Sequence, residues 1–126
     1  MQEKTCCFIG HRTIDATEEL KSKLTETIEK LITDEKVDTF LFGSKSEFNT
    51  LCLELVTALK EKYPDIKRIY IRAEYPVIDE SYKEYLLKFY EETYFPEKLI
   101  GAGKAVYIER NLEMIERSRF CVFYYN

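Results

Sequence analysis

The run Thr5-Cys6-Cys7-Phe8-Ile9 stops at Gly10-His11-Arg12, and two similar runs follow at intervals filled by amphipathic stripes. A short β-branched and aromatic run closed by glycine reads as a buried strand. Leu20, Leu24, Ile28, Leu31 and Ile32 recur at intervals of three and four, which predicts a helix over residues 16–34. Asp15 or Thr17 can cap it, and Glu18 and Glu19 suit its first turn. Residues 37–42 make a second strand closed by Gly43. Phe48, Leu51, Cys52, Leu55, Val56 and Leu59 form the stripe of a second helix, ended by Pro64. Ile66, Ile69 and Ile71 then mark a third strand over residues 66–72. With connections this short, β-α-β-α-β restricts the chain to a parallel sheet with right-handed crossovers.

Residues 73–103 are less regular. Glu74-Tyr75-Pro76 opens a loop, and Asp79 or Ser81 can cap a helix reaching about residue 92. Tyr75, Tyr82, Tyr85, Phe89, Tyr90, Tyr94 and Phe95 make the segment strongly aromatic. Such rings pack a helix edge or a subunit contact, or stack on a base. Gly101-Ala102-Gly103 is a flexible joint, after which Leu112, Met114 and Ile115 fall at helical spacing. The apolar run Phe120-Cys121-Val122-Phe123-Tyr124-Tyr125 is a fourth strand. A strand apolar at every position implies cover on both faces, as in the middle of a doubly wound sheet. A crossover should follow such a strand, so the natural protein is expected to continue past Asn126 with further C-terminal strand or strands.

The expected fold is thus α/β, a Rossmann-like open parallel sheet with helices on both faces and strand order 3-2-1-4. Residues 1–126 form one domain, incomplete at its C-terminal end. A chain of 126 residues buries roughly two-thirds of its unfolded surface, enough for a core without disulfides or metal. Net charge is −4 with Lys and Arg dispersed, which gives no general attraction to nucleic acid or membrane. Met1-Gln2-Glu3-Lys4 carries no apolar leader, and no run approaches the ~20 apolar residues of a membrane helix. A cytoplasmic location is expected. Cys6, Cys7, Cys52 and Cys121 lack metal-ligand spacing, and neighbours on a strand point to opposite faces, so reduced core cysteines are expected and no metal site. No cofactor is called for.

In the order 3-2-1-4, Gly10-His11-Arg12, Gly43-Ser44-Lys45-Ser46 and Tyr125-Asn126 all lie at carboxyl ends and rim one crevice, where open α/β sheets bind ligands. Arg12 offers a planar fork for phosphate, and Ser44 and Ser46 offer hydroxyls at a helix start, where anions are favoured. Glu47 in that first turn is a dipole partner that repels phosphate; a ligand reaching it presents a ribose hydroxyl. His11 is the only histidine, the side-chain type whose unperturbed pKa lies near neutrality, and a lone histidine after a strand is more often a hydrogen-bonded structural residue. Neither glycine site is a G-x-G-x-x-G or Walker sequence.

The combination Cys7-Phe8-Ile9-Gly10-His11-Arg12, Phe42-Gly43-Ser44-Lys45-Ser46-Glu47-Phe48 and Arg110-Asn111 with Met114, Ser118 and an apolar strand resembles the SLOG superfamily. More narrowly, it is similar to uncharacterised bacterial SLOG proteins, mostly of Firmicutes, that begin with a Gly-His-Arg strand. The resemblance implies a Rossmann-like sheet binding nucleotides or nucleotide-derived ligands at its carboxyl edge. Relatives include the lonely-guy phosphoribohydrolases, which release a base from a nucleoside monophosphate, and the Smf/DprA proteins, which bind single-stranded DNA. Gly10, His11 and Arg12 match the first loop, Gly43, Ser44 and Glu47 the second, and Arg110 and Asn111 the helix-start motif. The enzymatic relatives' Pro-Gly-Gly-x-Gly-Thr loop and its following glutamate are not in this chain, and Gly-Ser-Lys-Ser-Glu-Phe replaces the slimmer Gly-Gly-Ala-x-Gly-Phe-Asp of many relatives.

The leading expectation is a cytoplasmic binding module or sensor for a nucleotide-like small molecule. Arg12 and Arg110 would meet phosphate, Ser44 and Ser46 would donate, and Glu47 would take ribose. The alternative is an N-glycosidic hydrolase of nucleoside monophosphates, with Glu47 as the catalytic carboxylate. A third reading is an interaction protein, a homodimer through Tyr85 and Phe89. Single-stranded DNA ranks last, because the chain is acidic.

Overall fold

The computed structural model describes residues 2–43 and 45–124. Nine regular elements follow in order: β1 Thr5–Gly10, α1 Glu18–Thr33, β2 Thr39–Phe42, α2 Glu47–Lys60, β3 Lys67–Ile71, α3 Glu80–Leu86, β4 Glu92–Tyr94, α4 Val106–Glu116 and β5 Phe120–Tyr124. Short 3-10 turns at Gln2–Lys4, Glu97–Leu99 and Gly103–Ala105 complete the chain. All five strands are parallel, in the order β4-β3-β2-β1-β5.

Alternation along the strands divides the core. Cys6 and Phe8 of β1, with Phe40 and Phe42 of β2, face α1 and α2, where Leu24, Ile28, Phe48, Cys52 and Val56 close over them. Cys7, Leu41 and Ile71 face the other way and pack on Met114 of α4. Helices therefore cover both faces, as a parallel sheet requires. Thr17 caps α1 by accepting from the Leu20 N–H at 3.1 Å, and Asp79 caps α3 by accepting from Tyr82 N–H at 2.7 Å.

Three expectations need correction. The strand order 3-2-1-4 is the inner part of a wider sheet, because the helix expected to reach residue 92 ends at Leu86 and Glu92–Tyr94 adds a strand outside β3. The rings of Tyr90 and Tyr70 stack at 5.1 Å, and the Glu91 N–H donates to the Arg68 carbonyl at 2.8 Å. These contacts draw the chain back onto the sheet. The cover expected on both faces of the final strand is not present among the described residues: β5 pairs with β1 there, and its Phe123 is 61% exposed. Cysteine burial is correct for Cys6, Cys7 and Cys52, whereas Cys121 is exposed on that same strand.

No helix among the described residues is long and apolar enough to cross a membrane.

Candidate functional site

The carboxyl ends of β1, β2 and β3 open into a cleft of about 380 Å³, lined by Gly10, Arg12, Gly43, Lys45, Ser46, Tyr70, Ala73, Glu74, Tyr107 and Arg110. Sheet geometry alone brings the first three loops together, because parallel strands in register end at the same edge. The first two turns of α4 roof this edge with Tyr107 and Arg110.

Asn49 ties the floor. Its side-chain amide donates to the Phe8 carbonyl at 3.0 Å, and its oxygen accepts from the Gly43 N–H at 3.2 Å. One buried side chain thus joins the ends of β1 and β2 from α2. The Ser46 hydroxyl accepts from Asn49 N–H at 3.1 Å and caps α2. At Gly10 a Cβ would lie 2.5 Å from the Phe48 ring, so only glycine lets α2 approach this closely.

Arg110 is the centre of the cleft's electrostatics. It is 5% exposed, its Nη1 donates to the Gly43 carbonyl at 2.6 Å, and its Nε donates to Asn111 Oδ1 at 3.3 Å. Among the described residues no carboxylate forms an ion pair with it. Burial lowers its pKa from the usual arginine value, yet a guanidinium remains a cation at neutral pH. A buried cation with no ion pair, supported by carbonyl and ring dipoles and by the Glu74 carboxylate at longer range, is costly, and a bound anion relieves the cost. The guanidinium also lies 5.6 Å from the centroid of the Tyr107 ring. The Tyr107 hydroxyl donates to Glu74 Oε1 at 3.0 Å, and that hydrogen bond raises its pKa. Arg12 and Lys45, both exposed, bring the cations of the lining to three.

Of the residues expected from sequence, Gly10, Arg12, Gly43, Ser46 and Arg110 line the cleft. Asn111 holds Arg110 rather than lining the space. His11 turns toward β5, its ring edge-on to Tyr124 at 6.1 Å. The Glu47 carboxylate accepts from the Ile14 N–H at 2.9 Å, and its own N–H donates to the Arg12 carbonyl at 2.8 Å, so Glu47 ties down the loop that carries Arg12. Ser44, Tyr125 and Asn126 lie outside the described residues.

Lys45, expected at the rim as part of the second loop, also lines the cleft, whereas Asn49, Tyr70, Glu74 and Tyr107 are additions that sequence reasoning missed. Asn49 could have been found as the one amide inside an apolar stripe, and Glu74 as the first acidic residue after β3, at the edge where Gly10 and Gly43 already pointed. Among the described residues no group of three or more His, Cys, Asp or Glu could hold a metal ion. Compared with protein-family models and with curated proteins, the chain matches none.

Proposed function

We propose that this chain is a cytoplasmic binding module for an anionic, nucleotide-type small molecule, held in the cleft at the carboxyl edge of the sheet. The observation that carries the reading is Arg110, buried, unpaired with any described carboxylate and open to a cleft it shares with Arg12 and Lys45. The Gly-His-Arg and Gly-Ser-Lys-Ser-Glu motifs that resemble SLOG proteins contribute residues to that cleft, which supports a nucleotide over an arbitrary anion. Arg12 and Arg110 meet phosphate oxygens, and Glu74 with Tyr107 offers partners to ribose hydroxyls. Titration calorimetry with ADP, ADP-ribose and NAD tests the reading. Binding that falls tenfold or more in Arg110→Gln, with unchanged circular dichroism, supports it, and absence of heat from every nucleotide defeats it.

A second reading, hydrolysis of an N-glycosidic bond, needs a carboxylate beside the sugar to stabilise an oxocarbenium-like transition state. The position of Glu74 favours that residue for the role, because it lines the cleft while Glu47 is bound to the Ile14 backbone. Release of free base from AMP, abolished by Glu74→Gln, is the expected result on this reading; no release by the wild-type chain excludes it.

A further inference from the structure

A second cavity, of about 490 Å³, adjoins the cleft and is lined by Lys45, Tyr75, Val77, Ile78, Asp79 and Tyr82. Lys45 belongs to both cavities, so it stands at their junction. The two walls that matter are aromatic. Tyr75 is 55% exposed, and its ring meets that of Tyr82 at 83° with centroids 6.2 Å apart. Perpendicular rings around an open space leave a face available for a planar group, with the second ring against that group's edge.

The notch is held in place by the fold. Tyr75 has φ +61°, in the left-handed region where a bulky side chain is strained. Arg72, 8% exposed, fixes this conformation: its Nε donates to the Tyr75 carbonyl at 3.2 Å, its Nη2 to the Pro76 carbonyl at 3.4 Å and its Nη1 to Thr93 Oγ1 at 3.1 Å. A buried arginine thus holds an exposed aromatic ring in a strained turn beside a cationic cleft. Val77, 90% exposed, adds an apolar side chain to the same wall. Nothing in the packing of the core requires this arrangement, since Tyr75 and Val77 contribute little buried surface.

We infer that the Tyr75–Tyr82 notch is the base subsite of the ligand held in the cleft, which makes that ligand a nucleoside phosphate rather than a sugar phosphate or a simple anion. The inference rests on the proposed anion site. The base stacks in the notch, the ribose passes Lys45, and the phosphates reach Arg12 and Arg110. Each cavity has the size of a small-molecule site, ~300–1,000 Å³, so the pair takes two chemically distinct ends of one ligand.

The test compares ADP with inorganic pyrophosphate on the full chain by calorimetry. Stacking of one base on an aromatic side chain predicts that ADP binds about 5- to 150-fold more tightly than pyrophosphate. The double variant Tyr75→Asn, Tyr82→Leu should erase that advantage and leave pyrophosphate binding unchanged; asparagine tolerates the left-handed backbone at position 75. Fluorescence of etheno-ADP gives a readout that needs no variant, since stacking in the notch quenches it. Pyrophosphate and ADP binding equally well, with no quenching, overturns the base subsite and leaves the anion site standing. The base subsite is equally overturned if the double variant, folded by circular dichroism, keeps the full preference for ADP. If neither probe binds the wild-type chain, the anion site and the base subsite fall together.

Discussion

Replacing Asn49 with alanine removes both bonds that join β1 to β2 beneath the cleft. Asn49 is 3% exposed, so the Phe8 carbonyl and the Gly43 N–H lose their shared partner in a place water reaches poorly. A buried polar group left unsatisfied costs ~1–3 kcal/mol, so the pair predicts a loss of about 2–4 kcal/mol. At this chain length that corresponds to a fall in melting temperature of about 10 °C. Asn49→Asp isolates the chemistry from the shape. Protonated, its carboxyl matches the amide, donating to Phe8 and accepting from Gly43; ionised, it turns a bare oxygen to the Phe8 carbonyl. Burial and that carbonyl both disfavour the anion, so the carboxyl's pKa is raised in the folded protein. A raised folded value contributes stability that is complete below the unfolded pKa of about 3.9 and lost as pH rises through the folded one. The gap between Asn49→Asp and wild type, measured by urea unfolding, should therefore be widest at neutral pH and close on acidification. An alanine variant within about 2 °C of wild type, or an aspartate penalty that does not change with pH, refutes the reasoning.

A Cβ at Gly43 would lie 2.7 Å from Met114 Sδ and 2.8 Å from Arg110 Cδ, so Gly43→Ala should cost ~1–3 kcal/mol by overpacking and weaken nucleotide binding by displacing Arg110; calorimetry and thermal melts read both. Burial opposes ionisation of Glu91, but hydrogen bonds from the Arg68 guanidinium and backbone outweigh it and hold Glu91 below its usual pKa. Its contribution is therefore present above the unfolded value of about 4.3 and lost as pH falls through the folded one. Glu91→Gln should lower stability by roughly 1–2 kcal/mol at pH 7, the difference fading in acid urea titrations. The Cys7 thiol, paired with Cys121 across β1 and β5, pulls the Cys121 pKa down to about 7, against the effect of partial burial. Burial pushes Cys6 up to about 12 and Cys52 higher still, while the bond to Cys121 and then burial raise Cys7. Iodoacetamide should label Cys121 alone in the native chain, with a rate midpoint near pH 7; a midpoint at or above the usual ~8.5 counts against the pair.

The elements were legible where a local period carries them. The stripe from Leu20 to Ile32 and the strands ending at Gly10 and Gly43 follow from spacings within a dozen residues, and each corresponds to an element in the structure. β4 was not legible, because three residues carry no period and its place depends on Tyr90 meeting Tyr70 and Glu91 meeting Arg68, contacts that span some twenty positions. The same distinction runs through the site. Gly10, Arg12 and Gly43 sit at strand ends, which sequence marks directly. The bond from Arg110 to the Gly43 carbonyl joins residues 67 apart, and Glu74 faces Tyr107 across 33, so only the folded sheet edge brings them together.

The cleft offers a ligand two kinds of partner. Arg12, Lys45 and Arg110 contribute three cations, while Glu74, bonded to Tyr107, is the one carboxylate among the described residues of the lining. In the proposed complex an anionic group is drawn toward the arginines and repelled from the Glu74 wall, where hydroxyl donors are accepted instead. A ligand with phosphate at one end and hydroxyls beside it finds both kinds of partner in the lining. Because Arg12 and Lys45 are exposed and Arg110 is buried, salt should screen the first two far more than the third. Raising the ionic strength ought then to reduce affinity only in part, with the residual binding dependent on Arg110. In Arg110→Gln the remaining binding should vanish at high salt; residual affinity there equal to that of the wild-type chain would remove Arg110 from the centre of the site.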